Sequence, residues 1–126
     1  MANLGTVTRG DTEVINLTIK NPDNTARNIT TDSLKFTIKK STYDATYILQ
    51  KTVGTGVPGT AVPAGSIVKQ TQSGGTLGLV DVTISPADLT TLGRDMTLFC
   101  DVEVTDSTGK VATTLHTLNF VLDISV

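Results

Sequence analysis

The chain has no tryptophan, one cysteine and one histidine in 126 residues. Each scarcity removes a class of explanation. A single cysteine closes no internal disulfide, so the fold must hold by its core. One imidazole and one thiol leave little for zinc binding or nucleophilic catalysis, both of which gather several such groups in one place. The Cys–Trp–Cys core of true immunoglobulin domains is excluded outright. Aromatic residues are only 4%, so stacking platforms for sugars have few candidates. Charge is sparse too: 12 acidic and 10 basic residues leave a net −2, whereas a nucleic-acid binder needs a surplus of Lys and Arg. No apolar run approaches the roughly 20 residues that span a bilayer, so no membrane partner is expected. Residues Met1 to Val7 carry neither a basic cluster nor an apolar stretch, which argues against Sec export.

What is present is threonine, the commonest residue, together with valine and isoleucine. β-Branched side chains lose rotamer freedom in helices and pack well on pleated sheets, so this is an all-β composition. Ile15, Leu17 and Ile19 alternate with polar residues, as do Leu34, Phe36 and Ile38, and Val80, Val82 and Ile84. A period of two marks strands with one buried face. Met96 to Thr105 is the strongest such run, with Leu98, Cys100, Val102 and Val104 on one face. Shorter strands are expected over 47–53 and 67–72. Asp106 to Gly109 reads as a hairpin loop returning into a strand over 111–124. In that last strand Leu118, Phe120, Leu122 and Ile124 share a face, but Val111 and Leu115 fall on the other parity. A β-bulge near 113–117 would reconcile them. Ser85-Pro86-Ala87-Asp88 resembles a capping box and Gly93 a stop, which predicts a short helical turn over 86–92. The 13 residues Gly54–Ser66, rich in Gly and Pro and free of charge, read as a loop or a weakly paired ribbon, serving either as a plain surface loop or as a docking arm. The N-terminal stretch Ala2–Thr8 is a second candidate arm for strand addition. About seven or eight mostly antiparallel strands in one domain, residues 1–126, predict a β-sandwich that is Ig-like in shape only.

The chemistry-bearing residues mostly favour structural readings. Arg9-Gly10-Asp11 spells the integrin-binding tripeptide, but Gly-Asp also suits the turn needed before the first clean strand. Asn16 and Asn28 sit in glycosylation sequons that are idle without export. Cys100 shares the apolar parity of its strand and reads as a small buried hydrophobe. His116 has no second ligand nearby and reads as a surface strand residue. Asp81, Asp101 and Glu103 read as solvated strand carboxylates that discourage edge pairing, not as catalytic or calcium pairs. No catalytic, cofactor-binding or metal-binding residue is assigned, and no cofactor is expected. The glycines at 54, 56 and 59 do not lead from a buried strand into a helix, so no phosphate-cradling loop is expected.

The order of motifs carries a resemblance. Val80-Asp81-Val82-Thr83-Ile84-Ser85-Pro86-Ala87-Asp88 leads through Leu92-Gly93 to Cys100-Asp101-Val102-Glu103-Val104-Thr105-Asp106, then Gly109-Lys110-Val111 and Asn119-Phe120-Val121-Leu122-Asp123-Ile124. Arg9-Gly10-Asp11-Thr12 and Leu34-Lys35-Phe36-Thr37-Ile38-Lys39-Lys40 precede them. This order resembles the β-sandwich domain of tailed-phage virion proteins, as in the N-terminal domain of baseplate upper proteins. Phe99-Cys100 departs from the more aromatic pattern expected before Asp101. The resemblance implies a non-enzymatic virion structural protein, assembled in the host cytoplasm, that docks on other virion proteins and on copies of itself. A tail, baseplate or fibre-adaptor position is expected first and capsid decoration second. A host-surface carbohydrate-binding module, with Tyr43 and Tyr47 as its aromatic pair, is the alternative from another class.

Overall fold

The computed structural model describes residues 2–43 and 45–121. They form nine strands: β1 (Ala2–Thr8), β2 (Glu13–Thr18), β3 (Ser33–Lys39), β4 (Leu49–Val53), β5 (Ala61–Val62), β6 (Ile67–Lys69), β7 (Leu79–Ile84), β8 (Met96–Thr105) and β9 (Val111–Val121). The all-β sandwich expected from the sequence is what the structure has. A six-stranded sheet, ordered β1-β9-β8-β3-β4-β5, faces a three-stranded sheet, ordered β2-β7-β6. Every pairing is antiparallel except β1 with β9, which is parallel. The alternation read from the sequence sets the registers. Phe36, Ile38, Val82, Leu98, Val102 and Phe120, each on the apolar parity of its strand, are all buried.

Four expectations need correction. The helical turn at 86–92 does not form. That segment is a pair of tight turns, closed by Asp88 N–H to the Ser85 carbonyl and by Leu92 N–H to the Leu89 carbonyl. The only helical turn among the described residues is 3-10, at Gly74–Thr76. Half of the capping box survives: the Asp88 carboxylate accepts the Ser85 N–H at 2.7 Å. Leu89 and Leu92 explain the outcome, because both are buried against the core and tertiary packing overrides the local signal.

The bulge near 113–117 is also absent. β8 and β9 pair without interruption from Met96↔Phe120 to Thr105↔Val111. The parity conflict is resolved differently: Val111 and Leu115 stay on the outer face, 51% and 41% exposed. The inner positions belong to Ala112, Thr114 and His116. The register irregularity lies in β1 instead, between Asn3 and Thr6, where Gly5 has φ 112° and its N–H donates to the Asn3 side chain. Leu122 and Ile124 lie outside the described residues.

Of the two readings of residues 54–66, the weakly paired ribbon is the one that forms, and the free loop is not. These residues hold the short strand β5, which pairs with β4. Gly54 N–H donates to the Thr60 carbonyl, Gly56 N–H to Thr30, and Lys69 N–H to Pro58. Gly59, at φ 82°, packs so closely that a Cβ would lie 2.5 Å from Val53 Cγ2. The segment therefore closes the sandwich along the β4–β6 side. Ala2–Thr8 is likewise no loose arm, since β1 is already paired within its own sheet.

Candidate docking surface

The opposite side of the sandwich stands open. The small sheet ends at β2, while the large sheet continues past β8 to β9 and β1. Between them runs a groove of about 550 Å³. One wall is the consecutive run Asn16 to Lys20 on and after β2; the floor is Val102 and Val104 of β8 with Ala112, Thr114 and His116 of β9. β9 is incompletely flanked here, because β1 pairs with it only from His116 onward. Ala112 and Thr114 are exposed although they lie on the sheet's inner face.

The backbone of β2 makes this wall chemically active. Ile19 N–H donates to the Gly78 carbonyl at 2.8 Å, beyond the end of β7, so residues of that parity bond inward. In an antiparallel ladder alternate residues point the other way. Asn16 and Thr18 therefore present N–H and C=O to the open side. Lys20 and Lys110 stand at the groove and form no salt bridge among the described residues. Arg27 is committed to Asp32 at 2.7 Å. Asp106 accepts N–H bonds from Thr108 and Lys110 and the Thr108 hydroxyl, which hold its carboxyl below the ordinary value.

His116 is thus not the surface residue the sequence suggests. It is half-buried, it lines the groove, and its Nδ1 is buried without a hydrogen-bond partner among the described residues. Burial holds the imidazole below its ordinary pKa, so it is neutral at pH 7. The parity of β9 could have revealed this had the bulge not been invoked.

The other singled-out residues remain apart. Asp101 and Glu103 lie on the outer face of the large sheet and Asp81 on that of the small sheet, so the sandwich separates them. Asp101 meets Lys39 at 3.6 Å and Asp81 accepts both hydrogen bonds from Gln70. No group of three metal-ligating side chains occurs among the described residues. Arg9-Gly10-Asp11 is an exposed turn, with Asp11 N–H on the Thr8 carbonyl and Gly10 at φ 89°. Asn28 caps its own turn through Thr30. Tyr43 and Tyr47 are exposed in the β3–β4 connection.

Two lysines escaped the sequence reading. Lys51 and Lys69 sit on the inward parity of β4 and β6 and are 2% and 1% exposed. Lys51 meets Asp88 at 2.9 Å. Lys69 Nζ donates to the carbonyls of Asp32 and Gly54, pinning the 54–66 segment to the start of β3. Burial lowers the Lys69 pKa, opposed by the nearby Asp32 charge. The available signal was a lysine at the apolar position of Ile67-Val68-Lys69.

Cys100 is wholly buried, and burial, aided by the Asp101 charge, pushes its thiol pKa up to about 12. The thiolate needed for attack is scarce at neutral pH. Native protein should therefore react with a thiol reagent only on the timescale of unfolding, while denatured protein reacts at once. Cys100→Val should change stability by less than about 1.5 kcal/mol. Rapid labelling of the folded chain would contradict this packing.

No protein-family model matches the chain, and no curated protein matches it.

Proposed function

We propose that the chain is a non-enzymatic structural module of a tailed-phage virion, seated in the tail, the baseplate or a fibre adaptor within a symmetric assembly. The observation that carries the reading is the order of strand and turn motifs along both halves of the chain, which resembles the phage sandwich domain. The two-sheet fold is compatible with that resemblance. The open side between β2 and β9 supports a docking role, since an unpaired strand edge beside an apolar floor is a surface for protein contact. Capsid decoration is the other position within the same class. A cryo-EM map of the intact particle, with this chain located by a fused tag, tests the proposal. Density at the tail or baseplate is expected; density on the capsid would move the module to decoration, and its absence from purified particles would reject the virion reading. A glycan-binding role has one favourable observation, the exposure of Tyr43 and Tyr47. Saturable glycan binding that is lost in Tyr43→Ala would establish it.

A further inference from the structure

We propose that the groove beside β2 takes an extended segment of a partner protein, apolar at alternate positions and acidic at its Lys20 end, as the fourth strand of the small sheet. This rests on the docking role of the open side and not on the virion assignment.

The wall decides the kind of ligand. Asn16 and Thr18 turn their N–H and C=O groups to the open side, because residues of the Ile19 parity bond inward to β7 and Gly78. A ligand without hydrogen-bonding groups, such as an acyl chain, would strip water from that wall and replace nothing. Extended main chain replaces those bonds, which is strand addition. The floor decides its side chains. Val102, Val104 and Ala112 lie beneath the added strand, and Ala112 and Thr114 are exposed although they are on an inner face. A strand turns alternate side chains to such a floor, so the occupant is apolar at every second position.

The ends of the groove decide its charge. Arg27 donates to the Asn21 side chain at 3.4 Å and stands close enough to Asp106 to favour its charged form, while Asp106 N–H donates to the Lys110 carbonyl. Lys20 and Lys110 therefore share one end, with Asn16 and His116 toward the other. At the lysine end Arg27 is spent on Asp32, and Asp106 on the N–H groups of Thr108 and Lys110. The two lysines form no salt bridge among the described residues. A carboxylate across from Lys20 on the added strand supplies the missing partner. Pairing β2 with β2 of a second copy is barred by the step in the sandwich: β9 and β1 project past β2 in each copy, and the two projections would occupy the same space.

Fluorescence anisotropy with a labelled synthetic peptide tests this on the purified full chain. The probe is Asp-Val-Thr-Val-Thr-Val-Asp, blocked at both ends; it reads the same in either direction, so both strand directions are served. A second probe carries Lys in place of each Asp. The acidic peptide should bind saturably and the basic one at least about tenfold more weakly. Lys20→Glu should reverse that preference. Thr18→Pro removes an N–H that faces the open edge and spares the β2–β7 ladder, and Ala112→Phe fills the floor. Each should weaken binding at least about tenfold and keep its thermal midpoint within a few degrees of the parent. His116 is the only histidine, so its ring resonances report the groove directly and should move as the acidic peptide is added. Equal affinity for the two peptides would overturn the acidic end while leaving strand docking in place. No binding of either up to millimolar peptide would overturn strand docking itself. Undiminished binding in both the Thr18→Pro and Ala112→Phe chains, or binding that leaves the His116 resonances unmoved, would place the peptide elsewhere and overturn the proposal too. Sedimentation velocity on the full chain covers the remaining occupant: self-association that the acidic peptide does not reverse would give the groove to a second copy.

Discussion

Asp88→Ala is expected to lower the unfolding free energy by about 3–5 kcal/mol, the range found when one partner of a buried ion pair is removed. Lys51 points from β4 into the sandwich and is 2% exposed; the Asp88 carboxylate is the anion it meets. Removing Asp88 takes away the one carboxylate that the buried Lys51 meets among the described residues. It also frees the Ser85 N–H and unpins the turns that carry Leu89 and Leu92 over the core. The double variant Lys51→Met, Asp88→Ala should recover much of the loss, because a hydrophobic stem tolerates the site that a bare ammonium does not. Chemical denaturation of the four proteins of the cycle measures the coupling. Acid adds an independent check. Burial is the largest single influence on the Asp88 carboxyl and raises its pKa, but Lys51 and the Ser85 N–H together outweigh it, so the folded value lies below the ordinary one. A carboxyl with a lowered folded pKa contributes stability above its unfolded pKa and loses it as pH falls through the folded value. Asp88→Ala should accordingly flatten the acid limb of the stability profile. An unchanged limb would count against the ion pair.

Phe36→Ala should cost about 3–5 kcal/mol, the range for deleting a buried ring. Phe36 is in the middle of β3, directly opposite Val102 on one side and Lys51 on the other. It has no exposed surface, and strands flank it on both edges, so the cavity is poorly placed to collapse. For a small domain of ordinary stability such a loss takes a large share of the total. Because Phe36 and Lys51 are cross-strand neighbours, the Phe36 and Asp88 effects should not add. A denaturation midpoint for Phe36→Ala close to that of the parent would refute the register assigned to β3.

Much of this fold was legible because its central strands alternate cleanly. β2, β3, β7 and β8 each carry an apolar set at period two, and burial of one face admits a single register. Legibility failed where tertiary contacts supply what local sequence does not. β1 carries Leu4 and Val7 but little pattern between them, and its place depends on β9, more than a hundred residues away. The segment 54–66 resembles a loop because Gly and Pro weaken strands, yet backbone bonds to Thr30 and a buried lysine hold it. The groove was hidden by a general habit of sequence reading: an inner face is taken to be a covered one. Ala112, Thr114 and His116 break that habit because the facing sheet is narrower than theirs.

The parallel pairing of β1 with β9 has a consequence for synthesis. Residues 2–8 leave the ribosome more than a hundred residues ahead of their partners at 116–121. No local hairpin can shelter β1 in the interval, since a parallel pair needs the whole intervening chain to be made and folded. Closing so distant a contact is slow. The nascent chain therefore carries an unmated strand until the residues between β1 and β9 have been made. A library of arrested nascent chains probed by limited proteolysis should show β1 becoming protected only after β9 has emerged.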